Sequence, residues 1–425
     1  MALVATSACS TQGAKEAPAS GPGIDAEAKV ITVGNITALS GPAAALGAPL
    51  SNGLETFWAG VNERGGIDGW TVKVQTEDSG YEPQRHVEIF NGLKSDVAML
   101  TSMGSPTTKA IQPLLDREQL VTTPQSFDSL WGTDLVLAPS GTPYSFDIAN
   151  ALDHVTDAGA KEVSVGIIYQ NDEVGADAMR GFDEAEKTYG FEVAGKEPFK
   201  AGDADFTAQI QNLKSADADV VIVVGLPSST GPIVGTSASP GYKPQWVLFG
   251  PAFVEQLMTD DGTREGTPTP VAAALEGALY TGFTGPWGDE SASAMAQMIE
   301  DQTKFAPKQP PSVYFTLGYA QGLIQKAIPE KAIASGDTSR EGIYAAKIAL
   351  GEVDMGGLQS NVTYTGEQAP PRDQATSKSS TRRNPDSCAP SSTPSSAKQP
   401  SHSSCRIADH SKIIKRESVP LPTPA

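Results

Sequence analysis

The chain has 425 residues, enough for two or three domains of ordinary size, and it carries a formal net charge of −19. This acidic balance argues against a nucleic-acid partner, because binding to phosphates requires clustered lysine and arginine. The three cysteines are Cys9, Cys388 and Cys405, so we expect neither a disulfide framework nor a thiolate metal site in the body of the protein.

The sequence also lacks the patterns of metal sites and membrane spans. His86 and His154 are the histidines between residues 10 and 387, and neither belongs to an HxxxH or CxxC pattern, so we expect no metal ion and no cofactor. We expect each of these histidines at the surface or at a helix cap. No run of eighteen apolar residues occurs, and therefore no segment is expected to span a membrane.

The first residues combine small side chains with a cysteine. Residues 1–9 end in Thr6-Ser7-Ala8-Cys9, which resembles the end of a bacterial lipoprotein signal, and Cys9 would then carry the lipid anchor. The basic start of such a signal is missing and Thr6 stands where leucine is usual, so a disordered leader with a chance cysteine is the alternative. Residues 10–28 are predicted to be a flexible tether, with the fold beginning near Lys29.

The fold opens with a β-α-β pattern. A β-like segment at residues 30–33 precedes a helix with apolar residues at three- or four-residue spacing, and an alternating strand follows. The helix positions are Leu50, Leu54, Trp58 and Val61, and the strand positions are Trp70, Val72 and Val74. Gly65 and Gly66 end the helix. Because a helix connects them, the two strands should be parallel with a right-handed crossover.

Further strands and helices continue this pattern. We predict a helix around residues 87–93, a strand at 97–100, a helix at 107–116 and a strand at 120–124. Such a series forms an open parallel sheet, and ligands bind outside the carboxyl ends of its strands. Ser105 lies in a loop at this edge. It is either a helix N-cap before Pro106 or a ligand contact.

A second α/β series starts near Thr142. Strands predicted at residues 163–169, 191–194, 220–225 and 245–249 alternate with helices that begin near residues 142, 176 and 207. Residues 228–239 are rich in Ser, Gly and Thr, so the helix expected there should be short or frayed. Helices predicted at residues 291–305, 312–332 and 339–350 belong instead to the first series and complete it.

Ordered motifs in both halves resemble those of the type I periplasmic binding proteins, and most closely the branched-chain amino acid (Leu/Ile/Val) receptors of ABC importers. The motifs are Leu39-Ser40-Gly41-Pro42, Leu46-Gly47, Asn52-Gly53, Asn62-Glu63-Arg64-Gly65-Gly66-Ile67-Asp68-Gly69, Asp205-Phe206-Thr207-Ala208-Gln209, a return strand at residues 275–280 and a closing hairpin at residues 356–364. The resemblance implies an α/β fold of two Rossmann-like lobes, joined by a multi-strand hinge, with the ligand cleft between the lobes.

The resemblance also implies domain boundaries. We assign residues 29–139 and 282–356 to the N-terminal lobe, and residues 140–281 and 357–372 to the C-terminal lobe. After Arg372 the resemblance stops, and from that residue on nine basic residues stand against four acidic ones with no apolar period. We therefore expect residues 373–425 to be a disordered tail or the product of a reading-frame shift near Gln374.

A ligand site follows from the resemblance, position by position. In the family, the loops that match residues 103–105 and 125–128 hold the ligand's carboxylate. The residues expected to contact the ligand are Leu46, Tyr81, Met103, Gly104, Ser105, Gln125, Ser126, Phe127, Val174, Leu226, Pro227, Pro251 and Ala252. Leu46 and Val174 replace tyrosines or similar residues that are common in the family.

Ala252 stands where amino acid receptors often carry the acid that pairs with the ligand's ammonium group. A buried cation without a partner costs on the order of several kcal/mol, so a free amino group loses its best partner here. Asp128, Asp172 or Glu173 could substitute, although each is also an ordinary loop acid. The cleft should therefore be more apolar than that of an amino acid receptor, and an apolar carboxylate, an amide or a modified amino acid are the ligands to consider.

The expected function is capture of a small solute outside the cytoplasm by hinge closure, followed by delivery to an ABC permease and its ATPase. Such a protein would be a monomer, held at the membrane only by a lipid on Cys9. A ligand sensor of the same fold is the alternative, and neighbouring permease and ATPase genes would favour transport. The sequence contains no GxSxG motif, P-loop or metal pair, so we do not expect an enzyme.

Overall fold

The computed structural model describes residues 19–157, 163–238, 241–263 and 265–366. Within these residues the chain forms two α/β lobes, as the sequence predicted, and each lobe is built on a five-stranded sheet. None of the described helices has the length and apolar content needed to cross a membrane. Cys9 and the tail after Arg372 lie outside the described residues, so lipidation and the origin of the tail stay predictions.

The first lobe contains a parallel sheet with the strand order β4-β3-β5-β6. Its strands are β3 (Val30–Thr37), β4 (Thr71–Asp78), β5 (Met99–Met103) and β6 (Thr122–Gln125). β1 (Ala19–Ser20) pairs with β12 (Asp337–Thr338), and β2 (Ile24–Asp25) runs antiparallel to the start of β3. The prediction of a flexible tether is therefore wrong for residues 19–28. Their backbone pairs with β12 and with β3, and Ile24 packs against the core of this lobe.

Six helices pack on this sheet and on one another. They are α1 (Ala44–Glu63), α2 (Pro83–Leu93), α3 (Ser105–Glu118), α8 (Met295–Phe305), α9 (Val313–Ser335) and α10 (Arg340–Ile348). Helices α1 and α9 approach closely at Gly53 and Gly318. A Cβ atom on Gly318 would lie 2.0 Å from the carbonyl oxygen of Leu50, so the two backbones nearly touch.

The second lobe contains a fully parallel sheet with the strand order β8-β7-β9-β10-β11. Its strands are β7 (Ser164–Gln170), β8 (Glu192–Phe199), β9 (Val220–Val224), β10 (Gln245–Leu248) and β11 (Leu279–Tyr280). Its helices are α4 (Tyr144–Asp157), α5 (Glu173–Tyr189), α6 (Thr207–Ser215) and α7 (Pro227–Ala238). Strand β9 is buried along its whole length, as expected for the centre of a parallel sheet.

Helix α7 corrects one expectation. It spans the twelve residues Pro227–Ala238 and is therefore not short. Ile233 and Val234 are fully buried in the core of the second lobe. The hydroxyl of Thr230 donates to the carbonyl oxygens of Leu226 and Ala252, at 3.3 and 2.7 Å. Burial and the tertiary bond to Ala252 outweigh the weak helix propensity of the Ser/Gly/Thr-rich sequence.

The closing hairpin corrects a domain boundary. Strands β13 (Gly351–Val353) and β14 (Val362–Tyr364) pair antiparallel, and Leu358 between them is fully buried. These segments pack into the core of the first lobe, and the hydroxyl of Tyr364 donates to the carbonyl oxygen of Pro139 at 2.8 Å. Residues 357–366 therefore belong with the first lobe, and their assignment to the second lobe is wrong.

His86 is a buried residue of α2, and the expectation of a surface or cap position for it is wrong. Its side chain is fully buried, with Nε2 2.9 Å from the hydroxyl of Ser102 and no described partner for Nδ1. Burial disfavours the charged imidazolium and lowers the pKa of His86 from 6.5 to about 3. His86 therefore stays neutral in the folded protein under conditions where the unfolded chain takes up a proton.

This difference predicts an acid-dependent loss of stability. Below pH 6.5 the unfolded chain binds a proton at His86 that the folded chain rejects, so the free energy of unfolding should fall by about 3 kcal/mol between pH 6.5 and about pH 4. Chemical denaturation across this range should show a shallower pH dependence for His86→Gln than for the original protein. His154→Gln, at a partly exposed position in α4, is the matched control. Equal slopes for all three proteins would contradict the prediction.

Candidate functional site

A cavity lies between the two lobes, where the carboxyl ends of strands from both sheets meet. Met103 and Gln125 end β5 and β6 of the first lobe, and Gln170 ends β7 of the second. The residues that line the cavity are Leu46, Leu50, Tyr81, Met103, Gly104, Ser105, Gln125, Phe127, Tyr144, Gln170, Val174, Gly225, Leu226, Pro251, Phe283, Tyr314 and Leu317. This is the edge at which open α/β sheets bind ligands.

The lobes are closed around this cavity. Its free volume is about 30 Å³. That is room for about two water molecules, since one needs roughly 10–15 Å³. Any larger solute enters only when the lobes separate or when lining side chains move. Access to the site therefore depends on the relative position of the two lobes.

Ten of the thirteen residues expected from the sequence line the cavity, namely Leu46, Tyr81, Met103, Gly104, Ser105, Gln125, Phe127, Val174, Leu226 and Pro251. The other three, Ser126, Pro227 and Ala252, do not line this cavity. The hydroxyl of Ser126 accepts a hydrogen bond from the indole N–H of Trp131 at 3.1 Å. Pro227 is buried at the start of α7, and Ala252 is fully buried with its carbonyl bonded to Thr230.

The sequence analysis missed seven lining residues: Leu50, Tyr144, Gln170, Gly225, Phe283, Tyr314 and Leu317. Two of them had a usable signal. Tyr144 follows Pro143 at the start of α4, and Tyr314 follows the N-cap Ser312 of α9. A helix that starts at the binding edge of a sheet places its first turn near the ligand. Phe283 and Leu317 had no comparable local signal.

Aromatic rings form one wall of the cavity. Phe127 packs against Phe283 with ring centroids 4.7 Å apart and against Tyr144 at 5.9 Å. The hydroxyl of Tyr314 donates to the carbonyl oxygen of Gly250 at 2.9 Å. A Cβ atom on Gly250 would lie 2.0 Å from the ring of Phe283, so glycine is needed for this packing. The wall thus joins residues from both lobes.

The turn before α3 directs a free hydroxyl to the cavity. Gly104 is the N-cap of α3, with a φ of 94°, and a Cβ atom there would lie 2.5 Å from the ring of Tyr81. Ser105 is therefore the first residue of the helix, and the N-cap interpretation of Ser105 is wrong. Its buried hydroxyl has no hydrogen-bond partner among the described residues, and the same holds for both amide atoms of Gln125.

The residues that line the cavity include no charged side chain. The three acids proposed as partners for an ammonium group all lie outside the lining. Asp128 accepts from the N–H of Leu130, and burial together with nearby Asp177 raises the pKa of Asp128 to about 6. Asp172 caps α5, and burial raises the pKa of its carboxyl. Among the described residues, no group of three or more acidic, histidine or cysteine side chains could hold a metal ion.

Hydrogen bonds hold the lobes together around the cavity. The carboxylate of Glu255 in the second lobe accepts from the N–H of Val313, at the start of α9 in the first lobe, at 2.9 Å. The hydroxyl of Ser228 donates to the carbonyl oxygen of Pro42 at 3.0 Å. Burial raises the pKa of Glu255. These two bonds cross the cleft between the lobes.

Known proteins are similar to this chain in sequence and in fold. The family model for periplasmic binding proteins matches residues 30–375. The Leu/Ile/Val-binding protein homolog 3 of Brucella melitensis is 28% identical over 208 residues, which cover 47% of this chain and 56% of that protein. The chain thus spans about half to three fifths of the length of the first curated relatives that it matches.

Solved structures extend the similarity to most of the chain. A fatty acid ABC transporter substrate-binding protein from Thermomonospora curvata is 27% identical with a TM-score of 0.75, covering 82% of this chain and 87% of that one. A branched-chain amino acid ABC transporter from Thermus thermophilus with bound valine has a TM-score of 0.66 at 17% identity, covering 78% and 86%, and shows the shared fold. The chain therefore belongs to the periplasmic binding protein family and has the type I fold of the branched-chain amino acid receptors.

Proposed function

We propose that this protein is the solute-binding component of an ABC importer and works outside the cytoplasm. It captures a small solute in the cavity between its lobes and delivers that solute to a membrane permease, whose ATPase drives uptake. Binding proteins of this family act by ligand capture, and the family implies an extracytoplasmic location. The cavity itself carries the proposal, because it is enclosed by both lobes at the carboxyl ends of their strands.

The chemistry of the cavity favours capture over catalysis. Its lining contains apolar and aromatic side chains with a few polar groups, which is typical of a ligand pocket. The lining offers no pair of nucleophile and base and no charged group. The similarity to a fatty acid substrate-binding protein supports a ligand with an apolar body. We therefore propose that the protein is not an enzyme.

The direct test is a thermal-shift panel on the full chain with amino acids, amides and carboxylates. A ligand at about 100 times its dissociation constant should add roughly 2.7 kcal/mol to the free energy of unfolding. Small-angle scattering with the same ligand should report the closed dimensions, and the ligand-free protein should be larger or a mixture. A folded protein that responds to no small solute in either measurement would overturn the proposal.

A further inference from the structure

Three polar side chains of the cavity have atoms without hydrogen-bond partners among the described residues. They are the hydroxyl of Ser105, both amide atoms of Gln125, and Oε1 of Gln170. All three side chains are more than nine-tenths buried. A buried polar group without a hydrogen-bond partner lowers stability, so a ligand that pairs with these atoms recovers much of that loss.

These atoms together require a ligand that both donates and accepts hydrogen bonds. The Gln125 amide offers N–H donors on one atom and an acceptor on the other, whichever way the amide is turned. Gln170 donates through Nε2 to the carboxylate of Asp172, which fixes its Oε1 as an acceptor. A ligand carboxylate only accepts and would leave both acceptors unpaired. A primary carboxamide supplies a carbonyl acceptor and two N–H donors.

The charge distribution around the cavity points to the same head group. No charged side chain lines the cavity. The carboxylates of Asp172 and Glu255 are already bonded, to the N–H groups of Val174 and Val313. A buried ammonium or carboxylate without an opposite charge costs far more than a buried neutral amide that forms its hydrogen bonds. The site therefore suits a neutral head group.

We infer that the ligand is a small primary carboxamide with a short apolar body and no ammonium group. This inference rests on the proposed capture function and names the ligand class of the same site. The head group pairs with Ser105, Gln125 and Gln170. The apolar body lies against the aliphatic lining residues, which include Leu46, Leu50, Val174, Leu226 and Leu317.

Three probes with the same isobutyl body test the head group: 3-methylbutanamide, 3-methylbutanoate and L-leucine. Calorimetric titration of the full chain at neutral pH should give the amide an affinity about 100-fold higher than that of leucine, because the amide alone satisfies the polar groups without adding charge. The amide should also bind more tightly than the carboxylate. Equal or tighter binding of leucine or of the carboxylate would overturn the inference and leave the capture function standing.

A pair of variants separates a binding role of Gln125 from a structural one. Gln125→Leu removes two unpaired buried atoms, so it should leave the free protein at least as stable while weakening amide binding by about 100-fold. Gln325, buried with its amide bonded to Trp58 and Thr101, is the matched control. Gln325→Leu should lower stability and leave amide affinity unchanged. A Gln125→Leu protein that loses stability but keeps its amide affinity would overturn the inference.

Failure of the inference can be told from failure of the proposed function. If none of the three probes binds but another small solute shifts the melting of the full chain, the capture function stands and the carboxamide class falls. If no solute of any class binds the folded protein, both fall.

Discussion

Gly318→Ala is expected to lower the free energy of unfolding by about 3 kcal/mol, at the upper end of what overpacking usually costs. The added methyl group would lie 2.0 Å from the carbonyl oxygen of Leu50 and 2.8 Å from its carbonyl carbon. These are backbone atoms of α1, so no side chain can turn aside to make room. The helices must separate, although alanine has the better helix propensity.

The separation should also affect the candidate site. Leu46 and Leu50 of α1 and Tyr314 and Leu317 of α9 line the cavity, so a wider helix pair changes one of its walls. We therefore expect weaker ligand binding together with the loss of stability. Both can be measured on one sample by denaturant titration and calorimetry.

Gly92→Ala is the matched control, because Gly92 also lies in a helix but a Cβ atom there would meet nothing within 4 Å. That substitution should stabilise the protein by about 0.5 kcal/mol through helix propensity. If both substitutions changed the free energy of unfolding equally, the close approach of α1 and α9 would not be what makes Gly318→Ala destabilising, and the prediction would be wrong.

The sequence predicted most of the architecture because local periodicity and turn residues determine it. The alternation of Val72 and Val74 and the spacing of Leu54 and Trp58 each gave an element of the right type. The errors arose where tertiary contacts override local preference. Helix α7 forms although its sequence is rich in Ser, Gly and Thr. Ile24, which was expected in a flexible tether, pairs with the start of β3.

The sequence predicted those residues of the candidate site that lie in a single loop at the edge of a sheet. Met103 ends strand β5, and Gly104 and Ser105 follow directly, so the position of all three could be inferred from the strand. Phe283 and Leu317 reach the cavity from segments that meet only after both lobes have formed. Helix α9 is buried on nearly all sides, so its apolar pattern does not show which face meets the cavity. A short 3₁₀ turn at Gly250–Ala252 places Pro251 on the cavity and Ala252 in the core, which spacing alone could not distinguish.

Asp177 of α5 binds the segment between Ser129 and Ser145, in which the chain first passes from the first lobe to the second. Its fully buried carboxylate accepts from the N–H of Ser129 at 3.0 Å and from the N–H of Ser145 at 3.3 Å. The hydroxyl of Ser129 and the guanidinium of Arg180 also donate to it, at 2.5 and 2.7 Å. The segment held in this way begins just after Phe127, which forms part of the aromatic wall of the cavity.

Asp177→Ala should therefore destabilise the protein by about 3–4 kcal/mol, because it leaves buried N–H groups without an acceptor and the charge of Arg180 without its closest partner. Asp177→Asn should cost less, since an amide oxygen can still accept the hydrogen bond from the N–H of Ser129. Asp183→Ala removes an exposed acid on the same helix that forms an ion pair with Lys196, and it should change stability by less than about 0.5 kcal/mol. Denaturant titration of the three variants ranks these effects. If Asp183→Ala lowered the free energy of unfolding as much as Asp177→Ala, the effect would come from any substitution in helix α5 and not from the bonds of Asp177 to Ser129 and Ser145.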